Sequence, residues 1–142
     1  MNIQEKQNSI IEEFSVFDDW MDKYEYLIDL GKELEEMHSE LKTEEHLIEG
    51  CQSKVWVSAE LKEGKVFFTA DSDAIITKGI ISLLIKVLSG HSPGEIYEAD
   101  LFFVKNIGLD QHLSPTRSNG LLSMIKQMKL YALAYKTKLE NS

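Results

Sequence analysis

Few side chains in this 142-residue chain can do covalent chemistry, and they are thinly spread. There is one cysteine, Cys51, set in the stretch Gly50-Cys51-Gln52-Ser53-Lys54. The histidines are His38, His46, His91 and His112, and Arg117 is the single arginine among 15 basic residues. A lone cysteine excludes an internal disulfide and leaves any metal site short of thiolates. The scattered histidines show no ligand-like pair, so a zinc or iron–sulfur site is not expected and no resident metal is assigned. No spaced-glycine run ends in Gly-Lys-Ser or Gly-Lys-Thr, which argues against nucleotide chemistry.

What remains is nucleophilic use of the Cys51 thiol. The thiolate is the reactive form, and it needs a positive neighbour or a helix N-terminus to lower its pKa. Lys54 and His46 are near it in sequence. Base rates favour an inert buried thiol, since free cysteine is among the most buried residue types. The Gly-Cys-Gln-Ser setting favours a reactive one, because Gly50 permits the backbone of an exposed loop. For Arg117 two readings stand even. Its planar fork meets a geometric requirement, or it pairs with a nearby acid to tie down a helix start.

The elements that must position these groups follow from hydrophobic period and turn chemistry. Ile3, Ile10, Ile11, Phe14 and Phe17 mark one face of a helix over residues 3–17. Asp18 and Asp19 offer an N-cap for a second helix with Trp20, Met21, Tyr24, Leu27 and Ile28 on its apolar side, stopped at Gly31. The aromatic Trp20, Tyr24 and Tyr26 read as core packing rather than a ligand pocket. Residues 32–45 carry six glutamates with Leu34, Met37 and Leu41 as anchors. They read as a loop with a helical turn or two, a solvated face in preference to a dock for a basic partner.

Leu47 and Ile48 are expected to form a short strand before Cys51. Residues 53–61 then alternate, with Val55, Val57, Ala59 and Leu61 on one face, and Glu63-Gly64 turns the chain into a return strand over 65–70. Asp71-Ser72-Asp73 is read as the cap of a strong helix carrying Ile76, Ile80, Leu83, Leu84 and Val87, ended by Gly90. Gly79 inside that stripe predicts close approach of another backbone, such as the hairpin. Ser92-Pro93-Gly94-Glu95 reads as a capping box with proline at the first helical position. Further helix is expected over 100–108 and, after Ser114-Pro115, through Leu121, Ile125, Met128 and Tyr135, with Met124 and Met128 as core gap-fillers. These elements predict one α+β domain over residues 1–142, with a small antiparallel sheet of about three strands flanked by helices.

Composition bounds the function classes. A hydrophobic share of 43% and a charged share of 27% are ordinary for a globular chain. The net charge of -9 argues against nucleic acid and against anionic lipid, so a protein partner or small substrate is expected. The longest apolar runs are too short to span a bilayer, and the polar start lacks the pattern of a secretory signal. With one free thiol, a reducing cytoplasm is the expected setting.

The motifs then converge. Gly50-Cys51-Gln52-Ser53-Lys54-Val55-Trp56 resembles the signature of the SufE family of sulfur acceptors in iron–sulfur cluster assembly. Two further blocks agree in order and spacing: Ser72-Asp73-Ala74-Ile75-Ile76 with Gly79, and His112-Leu113-Ser114-Pro115 with Arg117, Asn119-Gly120-Leu121 and Met124. Trp20 and the run from Tyr24 to Gly31 match the family's N-terminal block, so the likeness covers roughly residues 14–134. Lys54 and Lys78 depart from the family's usual Gln and Arg.

The resemblance implies a SufE/IscU-like fold and a concrete role. Cys51 would take sulfane sulfur from a SufS-like cysteine desulfurase as a persulfide, stimulate that enzyme, and hand the sulfur to a SufBCD-like scaffold. The chain would not be a stand-alone enzyme, and it would act as a monomer or homodimer. The pyridoxal phosphate belongs to the desulfurase, and no cofactor is expected here. Gly50, Gln52, Ser53 and Arg117 are expected to support the Cys51 loop, and it is a further hypothesis, apart from the resemblance, that Arg117 approaches that loop and helps hold it. Two readings compete: a cysteine hydrolase using His46 or His112 as base, and a regulatory module that binds a desulfurase without carrying sulfur.

Overall fold

The computed structural model describes residues 1–51 and 53–141. Its first helix, α1 (Ile3–Ser15), starts at a capping box in which Asn2 and Glu5 satisfy each other's backbone amides. It ends two residues before Phe17 and buries Ile10 and Phe14. Buried Gln7 ties it to distant chain, donating from Nε2 to the Asp100 carbonyl (3.0 Å) and accepting at Oε1 from the Phe103 amide (3.1 Å).

Asp19 caps α2 (Trp20–Lys32) as its spacing predicts, accepting from the Asp22 amide. Gly31 does not stop this helix. It lies inside α2 and is buried, because a Cβ there would stand 2.8 Å from the Gly79 nitrogen on α3 (Ile75–Leu88). A Cβ on Gly79 would in turn collide with the Leu27 carbonyl. The close approach that Gly79 signals is therefore with α2, not with the hairpin. Two glycines facing each other let the helix backbones touch.

The hairpin forms as expected. Strands β1 (Val55–Lys62) and β2 (Lys65–Ser72) pair antiparallel, from Val55 opposite Ser72 to Lys62 opposite Lys65. Glu63 (φ 52°) and Gly64 (φ 78°) make the left-handed two-residue turn that matches strand twist. Among the described residues the sheet has two strands rather than about three. Leu47 makes a single bridge to Trp56, and the Ile48 amide donates to the Val55 carbonyl (2.8 Å). The chain then turns away at Gly50 (φ 91°), leaving too few residues to extend a ladder.

Between Lys32 and that bridge run two single helical turns, Ser39–Leu41 and Glu44–His46, anchored by buried Met37. After α3 come α4 (Pro93–Glu98), with the Ser92–Glu95 capping box intact, and two short turns, α5 (Phe103–Asn106) and α6 (Leu109–His112). The expected helix over 100–108 is thus reduced to α5, and Gly108 (φ 86°) separates it from α6. The long α7 (Pro115–Glu140) closes the fold. On α7, the Tyr131 and Tyr135 hydroxyls donate to the Val57 and Ala59 carbonyls of β1, both at 3.0 Å. One core joins α1, α2, the hairpin, α3 and α7 through residues such as Phe14, Leu27, Val57, Leu84 and Met128. The architecture is α+β, and no helix among the described residues is long and apolar enough to cross a membrane.

Candidate functional site

Cys51 follows Gly50 out of the Leu47 bridge and lands half-buried against the start of α7. Its Sγ lies 3.7 Å from the Gly120 carbonyl, within reach of a weak S–H donation. Two missing side chains make this seat. A Cβ on Gly120 would touch the sulfur at 3.5 Å, and a Cβ on Gly50 would press to 2.6 Å of Ser123 Oγ.

Beside the thiol is a cavity of about 350 Å³. The loop supplies Cys51 and Ser53, and the approach to α3 supplies Asp73, Ala74 and Thr77. The first turns of α7 contribute Thr116, Arg117 and Gly120, while Ile80 and Met124 form an apolar part of the wall. The sequence therefore brings together three of its five expected site residues here: Cys51, Ser53 and Arg117. Gly50 sits one residue outside the lining, and Gln52 lies outside the described residues.

Local hydrogen bonds hold the walls. The Lys54 amide donates to Asp73 Oδ1 (2.9 Å), and the Asp73 amide donates to the Lys54 carbonyl (3.2 Å). Asp73 is thus not the cap of α3, whose N-cap is Ala74 with no side-chain bond. Ser53 Oγ donates to Thr77 Oγ1 at 3.3 Å. At the far wall Ser114 caps α7, its Oγ accepting from the Arg117 amide, with Pro115 at the first helical position.

Arg117 pairs with no acid among the described residues. Among the described residues the ion pairs are those of Lys42 and Lys78 with Asp71, and of Lys136 with Glu140. That removes the helix-tethering reading and leaves an exposed guanidinium on the cavity wall. Burial pushes the Cys51 thiol up from its ordinary value.

Among the described residues no histidine lines the cavity. His46 Nδ1 meets Thr43 Oγ1 at 3.2 Å. His112 stacks on Trp20 with ring centroids 4.2 Å apart, and its carbonyl accepts from the Tyr24 hydroxyl (3.1 Å). The aromatic cluster of α2 thereby pins the segment leading into α7. Among the described residues no group of three or more His, Cys, Asp or Glu is placed to hold a metal ion.

Residue types alone pointed to Cys51 and Arg117 but missed Thr77, Gly120 and Asp73. Gly120 carries a readable signal, a glycine inside a helical stripe three residues after Arg117. Thr77 stands out as a polar residue among the isoleucines of α3.

Comparison with known proteins agrees with this geometry. The model of the SufE family, described as an Fe-S metabolism associated domain, matches residues 8–132. An uncharacterised SufE-like protein of Synechocystis is 40% identical over 126 residues, covering 89% of this chain and 79% of that protein. A SufE-like protein of Rhizobium meliloti is 38% identical over 127 residues, covering 86% and 91%. The Arabidopsis thaliana protein named SufE-like protein 1, chloroplastic/mitochondrial, is 43% identical over 134 residues, covering 94% of this chain but 36% of its own length. The solution structure of a hypothetical protein from Thermus thermophilus superposes with a TM-score of 0.77 at 22% identity, covering 93% of this chain and 96% of that one, which shows a shared fold.

Proposed function

The chain belongs to the SufE family, whose domain is associated with iron–sulfur metabolism, and from that premise we propose that it is a sulfur acceptor and carrier working through Cys51. The Cys51 thiolate attacks the outer sulfur of a persulfide borne on the cysteine of a SufS-like desulfurase. A new S–S bond forms as the old one breaks, and the desulfurase cysteine leaves with the electron pair as a thiolate. Cys51 is left as a persulfide, with no net oxidation or reduction. A nucleophile on a SufBCD-like scaffold then takes the outer sulfur by the same exchange and returns Cys51 to a thiolate.

The observation that carries this reading is the composition of the cavity: a thiol, a guanidinium and a helix N-terminus, with no imidazole among the described residues of the wall. Hydrolysis by a cysteine needs a base in hydrogen-bond reach of the sulfur. Thiol exchange needs only thiolate and access. Arg117 supplies charge at the wall and favours the anionic forms of Cys51. The pyridoxal phosphate belongs to the desulfurase, and the reading assigns this chain no cofactor of its own. A reduced thiol is required, a condition that a cytoplasmic or comparably reducing compartment provides.

A desulfurase turnover assay separates carrier from regulator. With a thiol reductant present to release the carried sulfur, wild type accelerates sulfide formation from cysteine, and Cys51→Ser does not. Acceleration that survives Cys51→Ser would instead assign a docking role without sulfur transfer.

A further inference from the structure

Thr77 is the buried polar residue of the cavity that the exchange chemistry leaves without a task. It is 6% exposed, on the first turn of α3, in a wall otherwise made there of Ala74 and Ile80. Its single described polar partner is Ser53, through the 3.3 Å contact between hydroxyls. A bond between two hydroxyls uses one of their two hydrogens. The second hydrogen has no acceptor among the described residues. A hydroxyl hydrogen that faces a cavity and has no protein acceptor is free to meet an acceptor that enters.

The acceptor that arrives in this cavity is a sulfur atom. Conversion of Cys51 to a persulfide adds one atom about 2 Å beyond Sγ. The volume of about 350 Å³ admits it, since a water molecule's share of liquid is only about 30 Å³. Gly120 and Met124 offer no side-chain donor to it, the Asp73 carboxylate is an acceptor already engaged by the Lys54 amide, and the donors Thr116 and Arg117 stand on the exposed first turn of α7.

We infer that the Ser53–Thr77 hydroxyl pair is the donor that holds the terminal sulfur of the Cys51 persulfide, making Thr77 a binding residue for the carried sulfur. The inference rests on the carrier reading and deepens it. One O–H aimed at an anionic sulfur resists loss of that sulfur while the loop is closed. Val at position 77 keeps the shape and removes the donor, whereas Ser keeps the donor.

The test loads full-length protein with inorganic polysulfide, removes the excess, and follows intact mass over time in the presence of glutathione. Wild type and Thr77→Ser are expected to hold one added sulfur for similar times. Thr77→Val, shown folded by its melting transition, is expected to lose it about tenfold faster, the scale of a hydrogen bond to a charged acceptor. Ser53→Ala, which removes the other half of the pair, is expected to move in the same direction. If Thr77→Val holds the sulfur as long as wild type, the inference is overturned and the carrier reading stands. If wild type takes up no sulfur on Cys51 from either polysulfide or a desulfurase, both fall.

Discussion

Lys54 and Asp73 exchange two hydrogen bonds, the Lys54 amide to Asp73 Oδ1 at 2.9 Å and the Asp73 amide to the Lys54 carbonyl at 3.2 Å. This reciprocal contact staples the strand side of the Cys51 loop to the approach of α3. Because Asp73 is exposed, the side-chain bond is expected to contribute about 1 kcal/mol. Asp73→Ala should therefore lower stability by that amount in urea unfolding. It should also make Cys51 about threefold faster to alkylate, as the loop opens more often. An unchanged alkylation rate would show that the staple does not govern access.

Burial pushes the Cys51 thiol above its ordinary value of 9.0. Its contribution to stability is whole below the unfolded value, where both states hold the proton. As pH rises, the unfolded chain loses its proton first, so the contribution fades and is gone once pH passes the raised folded value. The rate of Cys51 alkylation against pH should accordingly rise at more alkaline pH in the folded protein than in urea. A folded profile on the acid side of the unfolded one would mean that α7 and Arg117 outweigh burial already at rest.

The Gly31–Gly79 crossing should tolerate no methyl group. An alanine inside an exposed helix would gain about 1 kcal/mol over glycine. At position 79 the added carbon meets the Leu27 carbonyl, a backbone group that cannot rotate away. Gly79→Ala is expected to destabilise by about 3 kcal/mol, read as a fall of about 10 °C in Tm. A Tm at or above wild type would contradict the packing.

Arg117 stands on the cavity wall without an ion-pair partner among the described residues. Arg117→Ala should fold with wild-type stability, since no ion pair is lost, yet accept sulfur from the desulfurase about tenfold more slowly. Arg117→Lys should fall between them, keeping the charge but not the planar fork. Wild-type transfer by a folded Arg117→Ala protein would remove the residue from the site.

Local chemistry is what the sequence displayed well. Caps at Asp19, Ser92 and Ser114 are each set within four residues, and each forms as its spacing predicts. The Glu63-Gly64 hairpin is equally local. What escaped was decided by partners distant in the chain. Asp73 has the look of a helix cap, but the Lys54 amide recruits its carboxylate instead. Gly31 looks like a helix stop, but a facing glycine on α3 makes it a packing position. Leu47 and Ile48 have strand propensity, yet the turn at Gly50 leaves room for one bridge. At the site, Cys51 and Arg117 announce themselves as the single members of their types. Thr77 and Gly120 become visible only when α3 and α7 close on the same cavity.

The central claim is that sulfur travels on Cys51, and weighing the intact protein tests it most directly. After incubation with a cysteine desulfurase, pyridoxal phosphate and cysteine, wild type should gain the mass of one sulfur atom, removable by a reducing agent. Cys51→Ser should gain none. No added sulfur on wild type, or the same addition on Cys51→Ser, would contradict the account.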